Sequence, residues 1–251
     1  MFSRTQFEVG TIFGVPVKLD LSLILLAGSF VFSARGAGLR ASLVVGLLCA
    51  AALLLAILVH ELGHALAAKA FGCRVGDITL MFFGGYATIY NQPRDPWKDA
   101  ALALAGPVAG FVLWRVAAIA AALLPDDFLA SFLSAVSVYS LYLSLFNLIP
   151  AFPLDGGRVL RAVLTRFRGR LYAARLSCRI AYVLAIAMGR YGLFHRSFML
   201  VFIAFFVWSA ARSELGSLNR YRGADDDDDT VIISPPPYGG DTDYTRINRE
   251  R

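Results

Sequence analysis

Two stretches of this chain, Ala41 to Val59 and Phe128 to Leu154, contain no charged residue. A helix needs about 20 residues to cross a hydrocarbon core of about 30 Å, and each stretch is long enough. A helix buried in a soluble core seldom stays uncharged for so long. The rest of the chain agrees, with 57% of its 251 residues hydrophobic and 17% charged, against roughly 25% charged in ordinary soluble domains. The expected fold class is an all-α polytopic membrane protein with about six transmembrane helices. They fall near Leu19–Ser33, Ala41–Phe71, Asp99–Leu124, Phe128–Ile149, Arg175–Gly189 and Ser197–Ala211. The fifth is the weakest, since its uncharged part begins only at Ile180. Leu21 to Ala34 has the length of a signal-peptide apolar region, but it starts late, after Glu8 and Asp20, and reads as a retained first span.

Charge sets the orientation. With the N-terminus inside, 19 of the 24 Lys and Arg residues lie in inner segments, four lie outside, and Arg115 falls within the third span. The positive-inside rule then puts both termini in the cytosol and makes this a multi-pass protein of the cell membrane. The net charge of +6 is explained by these flanking residues, so no nucleic-acid partner is expected. Arg115 is expected to snorkel or to face protein or water. Cys49, Cys73 and Cys178 are scattered and odd in number, which gives no disulfide framework and no thiolate metal site.

Two segments break the helical pattern. Val75 to Tyr90 is rich in β-branched and aromatic residues and contains Gly84-Gly85, which fits a short re-entrant strand or hairpin. Asn147 to Gly157 holds Pro150, Pro153, Gly156 and Gly157, so the fourth span must end there while the chain stays apolar up to Asp155. Residues 1–218 are expected to form one membrane domain. Residues 219–251, with the acidic run Asp225 to Asp229 and the string Pro235 to Tyr238, read as a disordered cytosolic tail. The functional alternatives there are a cation or basic partner for the acidic run and a WW-type domain for the proline string.

The chemistry concentrates in His60-Glu61-Leu62-Gly63-His64, near the inner end of the second span. Histidines at i and i+4 share one helix face, so both imidazoles can reach one metal ion. Glu61 sits about 100° around the helix, where a carboxylate can take a proton from water beside the metal. HExxH occurs by chance in soluble helices, and the structural alternative is a polar helix end leaving the bilayer. Ionisable groups inside a span are costly, however, and two of the chain's three histidines are in this string.

A catalytic zinc site ordinarily has three protein ligands and an open position. His195 lies in an expected outer loop, on the wrong side. Asp155 is the one acid between Phe128 and Gly157. It can be read as a helix N-cap, but a lone carboxylate in an apolar segment is costly unless paired or metal-bound. Taken with the histidines, Asp155 is the expected third ligand.

These residues resemble the site-2 protease family of intramembrane zinc metalloproteases. The matches are the string at 60–64, Asn147-Leu-Ile-Pro-Ala-Phe-Pro-Leu-Asp-Gly at 147–156, Ala105-Gly-Pro107, Phe83-Gly-Gly85 and Gly14-Val-Pro16. The resemblance covers about Phe7 to Leu215. It implies one zinc ion on His60, His64 and Asp155, with Glu61 as catalytic base and Asn147 as a polar group near the substrate carbonyl. It also implies six spans, a β-rich element beside the active site, and single-span membrane proteins as substrates within the lipid bilayer. Asp20 stands where relatives often carry histidine and receives no role. The form is compact, with no PDZ insertion between the motifs and no CBS domain. Two rivals remain: a membrane HExxH protease cutting soluble or prenylated chains, and a non-proteolytic metal-binding scaffold or transporter. The oligomeric state and the substrate are not legible.

Overall fold

A computed structural model of the chain describes residues 6–34, 38–82, 84–93, 95–125 and 127–224. Among them the order is β1 (Gln6–Ile12), β2 (Val15–Asp20), α1 (Leu23–Ser33), α2 (Leu39–Ala70), β3 (Arg74–Met81), β4 (Gly84–Tyr90), α3 (Pro96–Leu123), α4 (Phe128–Asn147), α5 (Asp155–Arg168), α6 (Arg170–Phe194) and α7 (Phe198–Ala224). Four helical segments are long and apolar enough to cross a membrane: Leu39–Ala70, Pro96–Leu123, Phe128–Asn147 and Leu171–Phe194. The protein is therefore a multi-pass membrane protein, mostly helical.

The helices follow the uncharged runs, and their ends follow local chemistry. At 32 residues α2 measures about 48 Å along its axis, more than a bilayer core, so its last turns emerge beyond the hydrocarbon. Asp95 caps α3 by accepting from the Trp97 amide, and Asp127 caps α4 by accepting from the Ala130 amide, both at 2.9 Å. The expected first span is shortened, because Leu19 and Asp20 belong to β2 and the Asp20 carboxylate accepts from the Ser22 amide at 2.8 Å. The 11-residue helix that remains is too short to span by itself.

The expected all-α fold with one short β-rich element holds more β structure than that element alone. The expected β-rich element forms the β3–β4 hairpin, but it is half of a four-stranded sheet ordered β1-β2-β3-β4. The N-terminal strands form a second hairpin, and β2 runs parallel to β3 with Val17 opposite Ile78. Val15, Val17 and Leu19 alternate toward the interior, where Val15 and Val17 are buried. The hairpin turns at Phe13 and Gly14, both at positive φ, and Lys69 at the end of α2 donates to both their carbonyls. Alternation over six residues flanked by charges is a weaker signal than a long apolar run, so the N-terminal half of the sheet is not legible from periodicity.

A second difference is α5. Arg158, Arg161, Thr165 and Arg168 line one side at i, i+3, i+7 and i+10, and Val159, Val163 and Phe167 line the other at i+4 spacing, so the segment is an amphipathic helix rather than a loop. It leads through Gly169 into α6, which starts earlier than the expected fifth span. The α7 helix continues to Ala224, beyond the expected sixth span. Phe83 and the tail from 225 lie outside the described residues.

Among the described residues, buried side chains gather in four clusters, of which the two largest flank the site. One lies under the sheet, where Val15, Ile57, Leu62, Ala65, Ile78 and Leu80 join α2 to β2 and β3. The other joins Ala151 and Phe152 to Cys178 and Ala181 of α6 and Val207 and Ala211 of α7. Arg115 is exposed on α3, its guanidinium 5.4 Å from the Trp114 ring. The three cysteines are free.

Candidate metal centre

Two small residues let α2 and α3 approach closely enough to build the site. A Cβ on Gly63 would collide with the Ala105 carbonyl, and a Cβ on Gly106 would overlap the imidazoles of both His60 and His64. Helix α3 thus presses bare backbone against the histidine face of α2. The notable string Ala105-Gly-Pro107 acquires a physical reason that its sequence alone did not state.

His60, His64 and Asp155 are 3%, 5% and 8% exposed. Their ligand atoms converge: His60 Nε2 lies 3.0 Å and His64 Nε2 3.2 Å from Asp155 Oδ2, and the two Nε2 atoms are 3.3 Å apart. Three atoms bonded to one ion at 2.0–2.1 Å with tetrahedral angles would be separated by about 3.3 Å. The triangle therefore has the size that a zinc-like ion requires. It brings together residues 95 and 91 positions apart in sequence.

The protonation pattern gives a second test of fit. His64 Nδ1 is 2.9 Å from the Leu102 carbonyl oxygen, which can only accept, so Nδ1 carries the hydrogen. In the neutral ring Nε2 then holds a lone pair, and it faces a carboxylate oxygen. Two acceptors at that distance in a buried place call for a proton or a cation between them. The carbonyl also fixes the ring's orientation, as partners of metal-binding histidines commonly do. His60 Nδ1 is buried and has no such partner among the described residues. Two imidazoles and one carboxylate form a donor set suited to a divalent ion of borderline softness.

Glu61 is half-buried on the sheet side of the triangle. A Cβ on Gly85 of β4 would meet its Cγ and the Ile57 side chain at 2.9 Å, so the edge strand passes directly beside this carboxylate. Asn147 is not joined to the group. It ends α4, and its Nδ2 donates to the Leu143 carbonyl at 3.0 Å within the same helix. His195 is exposed at the far end of α6, against the Tyr191 ring.

Beyond the triangle, Arg158 of α5 pairs with Asp99 of α3 at 3.1 Å, one turn past Asp155. Leu102, Gly106 and the Asp99–Arg158 pair all support the site. Only Gly106 lay within a string that stood out in the sequence, because the others depend on contacts between distant segments.

The sequence model of "Peptidase family M50" matches residues 48–128 and 118–188, more than half of the chain. A Synechocystis sp. protein, sll0528, is 33% identical over 229 residues, which cover 84% of this chain and 60% of the relative. Zinc metalloprotease MJ0392 of Methanocaldococcus jannaschii is 30% identical over 204 residues, which cover 81% of this chain and 58% of the relative. The chain thus spans about three fifths of the length of these relatives. The solved structure of a site-2 protease from Methanocaldococcus jannaschii aligns with a TM-score of 0.65 and 30% identity, covering 83% of this chain and 94% of that one. The buried triangle, the helices that carry it and these likenesses agree, and the chain belongs to peptidase family M50.

Proposed function

We propose that this protein is an intramembrane zinc metalloprotease that hydrolyses peptide bonds in or near the membrane segments of other proteins. The observation that carries the reading is the convergence of His60, His64 and Asp155 at ligand spacing, with Glu61 one residue along the same apolar helix. The names of the relatives support zinc as the ion and proteolysis as the activity.

In this reading His60 and His64 are neutral ligands through Nε2, and Asp155 is the anionic one. When bound, zinc supplies a Lewis acid that polarises a carbonyl and makes water a nucleophile near neutral pH. Glu61 takes the proton from the attacking water and later hands it to the leaving amine. Asn147 turns its amide from Leu143 toward the substrate backbone when substrate is present. A substrate helix must unwind to expose its scissile bond, and β4, beside Glu61 at the edge of the sheet, suits an extended strand. The substrate is a single-span membrane protein. Six membrane crossings would need α7 and α1, which is too short to span alone, beside the four long apolar helices; an even number keeps both termini on one side, and the excess of Lys and Arg in the inner segments makes that side the cytosol.

The test is the Glu61→Gln form. It is expected to keep stoichiometric zinc and to lose cleavage of a reconstituted membrane substrate. Full cleavage by that form would remove Glu61 as base. Expressing the same form in cells and identifying the single-span proteins retained with it addresses the substrate.

A further inference from the structure

From residue 156 to residue 213 the chain contains ten arginines and no aspartate or glutamate. Arginines at the ends of membrane helices are ordinary. Several of these, however, are arranged on one face of one helix. Tyr172, Arg175, Arg179, Val183 and Ile186 follow one another at i+3 or i+4 spacing along α6, so they form a single stripe. The opposite stripe, Cys178, Ala181 and Ala185, is buried against α7. The arginine stripe therefore faces away from the protein. Val183 and Ile186 are 69% and 61% exposed, and Arg179 is exposed beside them.

This stripe begins inside a segment apolar enough to span, Leu171–Phe194. Arg179 is eight residues into it, about 12 Å along the axis. A guanidinium there cannot stay in hydrocarbon and must extend back along its own helix toward the headgroups. That direction leads to Arg175, one turn earlier, and then to Tyr172. Arg168, the last residue of α5, already lies with its guanidinium 5.8 Å from the Tyr172 ring. Among the described residues none of Arg168, Arg175 and Arg179 has a carboxylate partner; the ion pair nearest in the fold, Arg161 with Glu214, is already closed at 2.8 Å.

We propose that Arg168, Arg175 and Arg179 form a binding site for the headgroup of an anionic phospholipid. Its phosphate is held by the three guanidinium groups, and its acyl chain lies along Val183 and Ile186. Planar guanidinium groups bind phosphate oxygens in pairs. The excess of cations over any nearby acid selects a net-negative headgroup, since the ammonium of a zwitterionic lipid would be repelled. The site sits at the far end of the helix that begins with Asp155, and it is independent of the proteolytic reading.

The test uses the full-length protein in a non-ionic detergent, titrated with phosphatidylglycerol or with phosphatidylcholine of the same acyl chains, and bound lipid counted by native mass spectrometry. Phosphatidylglycerol is expected to bind more tightly, and R168Q/R175Q/R179Q is expected to weaken it by about five-fold for each arginine removed, leaving phosphatidylcholine unchanged. R190Q, an exposed arginine at the other end of α6, should bind as the parent does. If the triple variant does not fold, R179Q and R179K serve instead, the lysine form keeping most of the preference. Equal phosphatidylglycerol binding by parent and arginine variants, or an equal loss with R190Q, overturns the site. Changing Asp225 to Asp229 together to asparagine separates a lipid from the chain's own acidic run. Unchanged binding, or a gain that R168Q/R175Q/R179Q removes, supports the lipid site, and a gain that persists in the triple variant places the lipid elsewhere and overturns it.

Discussion

The contact between α2 and α3 and the contact between α6 and α7 are both helix packings in a membrane protein, yet they are held by different means. At the first, Gly63 and Gly106 bring backbone against backbone and against two imidazoles, leaving no room for a methyl group. At the second, Cys178, Ala181, Val207 and Ala211 pack around Phe152, and one ion pair, Arg161 with Glu214, joins α5 to α7. Glycine contacts fix distances within fractions of an ångström, whereas a side-chain cluster can rearrange. Geometry for a metal belongs on the first kind of contact. Of the two contacts, only the first touches the imidazoles directly.

The comparison can be broken most directly at Gly106. Gly106→Ala is expected to abolish stoichiometric zinc, measured by metal analysis of the purified protein, because its Cβ would take the space of the imidazoles. Bound zinc in that variant would show that α2 and α3 are not locked together. Next in size is chelation. Removing an ion present at about a thousand times its dissociation constant costs about 4 kcal/mol of stability. EDTA should therefore lower the melting temperature of the parent and leave that of Asp155→Ala unchanged. Phe152→Ala, which empties the cluster under α6 and α7, is expected to cost about 3 kcal/mol in detergent unfolding while zinc stays bound. Loss of zinc there would mean the two contacts are coupled. The smallest effect is Arg161→Ala. Its pair is partly exposed, with Arg161 at 31%, so no more than about 1 kcal/mol should be lost.

Much of the molecule is legible in its amino-acid sequence. The uncharged runs located α2 and α4, and the string at 60–64 located two of the three donor atoms that converge, because helical periodicity is local and the helix obeys it. Asp155 was reached by the cost of an unpaired acid in an apolar segment, and the structure brings it to both histidines. The β1–β2 hairpin was missed, since short alternation is easily masked by Glu8, Lys18 and Asp20. A helix start at Asp155 is one reading of the sequence, but the length of α5 is not, since Gly156 and Gly157 are poor helix formers and its arginines read as a loop; here the glycines are held by burial against the preceding turns. Asn147 was named by resemblance, and its amide is engaged by its own helix.

By itself, the sequence determined the membrane as solvent, the helix that carries His60, Glu61 and His64, and the donor types available to a metal. Those follow from hydropathy and from periods of three and four residues, which need no partner. Only the tertiary structure decided that Asp155 Oδ2 stands 3.0 Å and 3.2 Å from the two imidazoles, that Leu102 orients His64, and that β4 runs beside Glu61. Each of these depends on how closely two distant segments approach. That distance is set by which residues lack a side chain at the crossing, and no local pattern records which segments will cross.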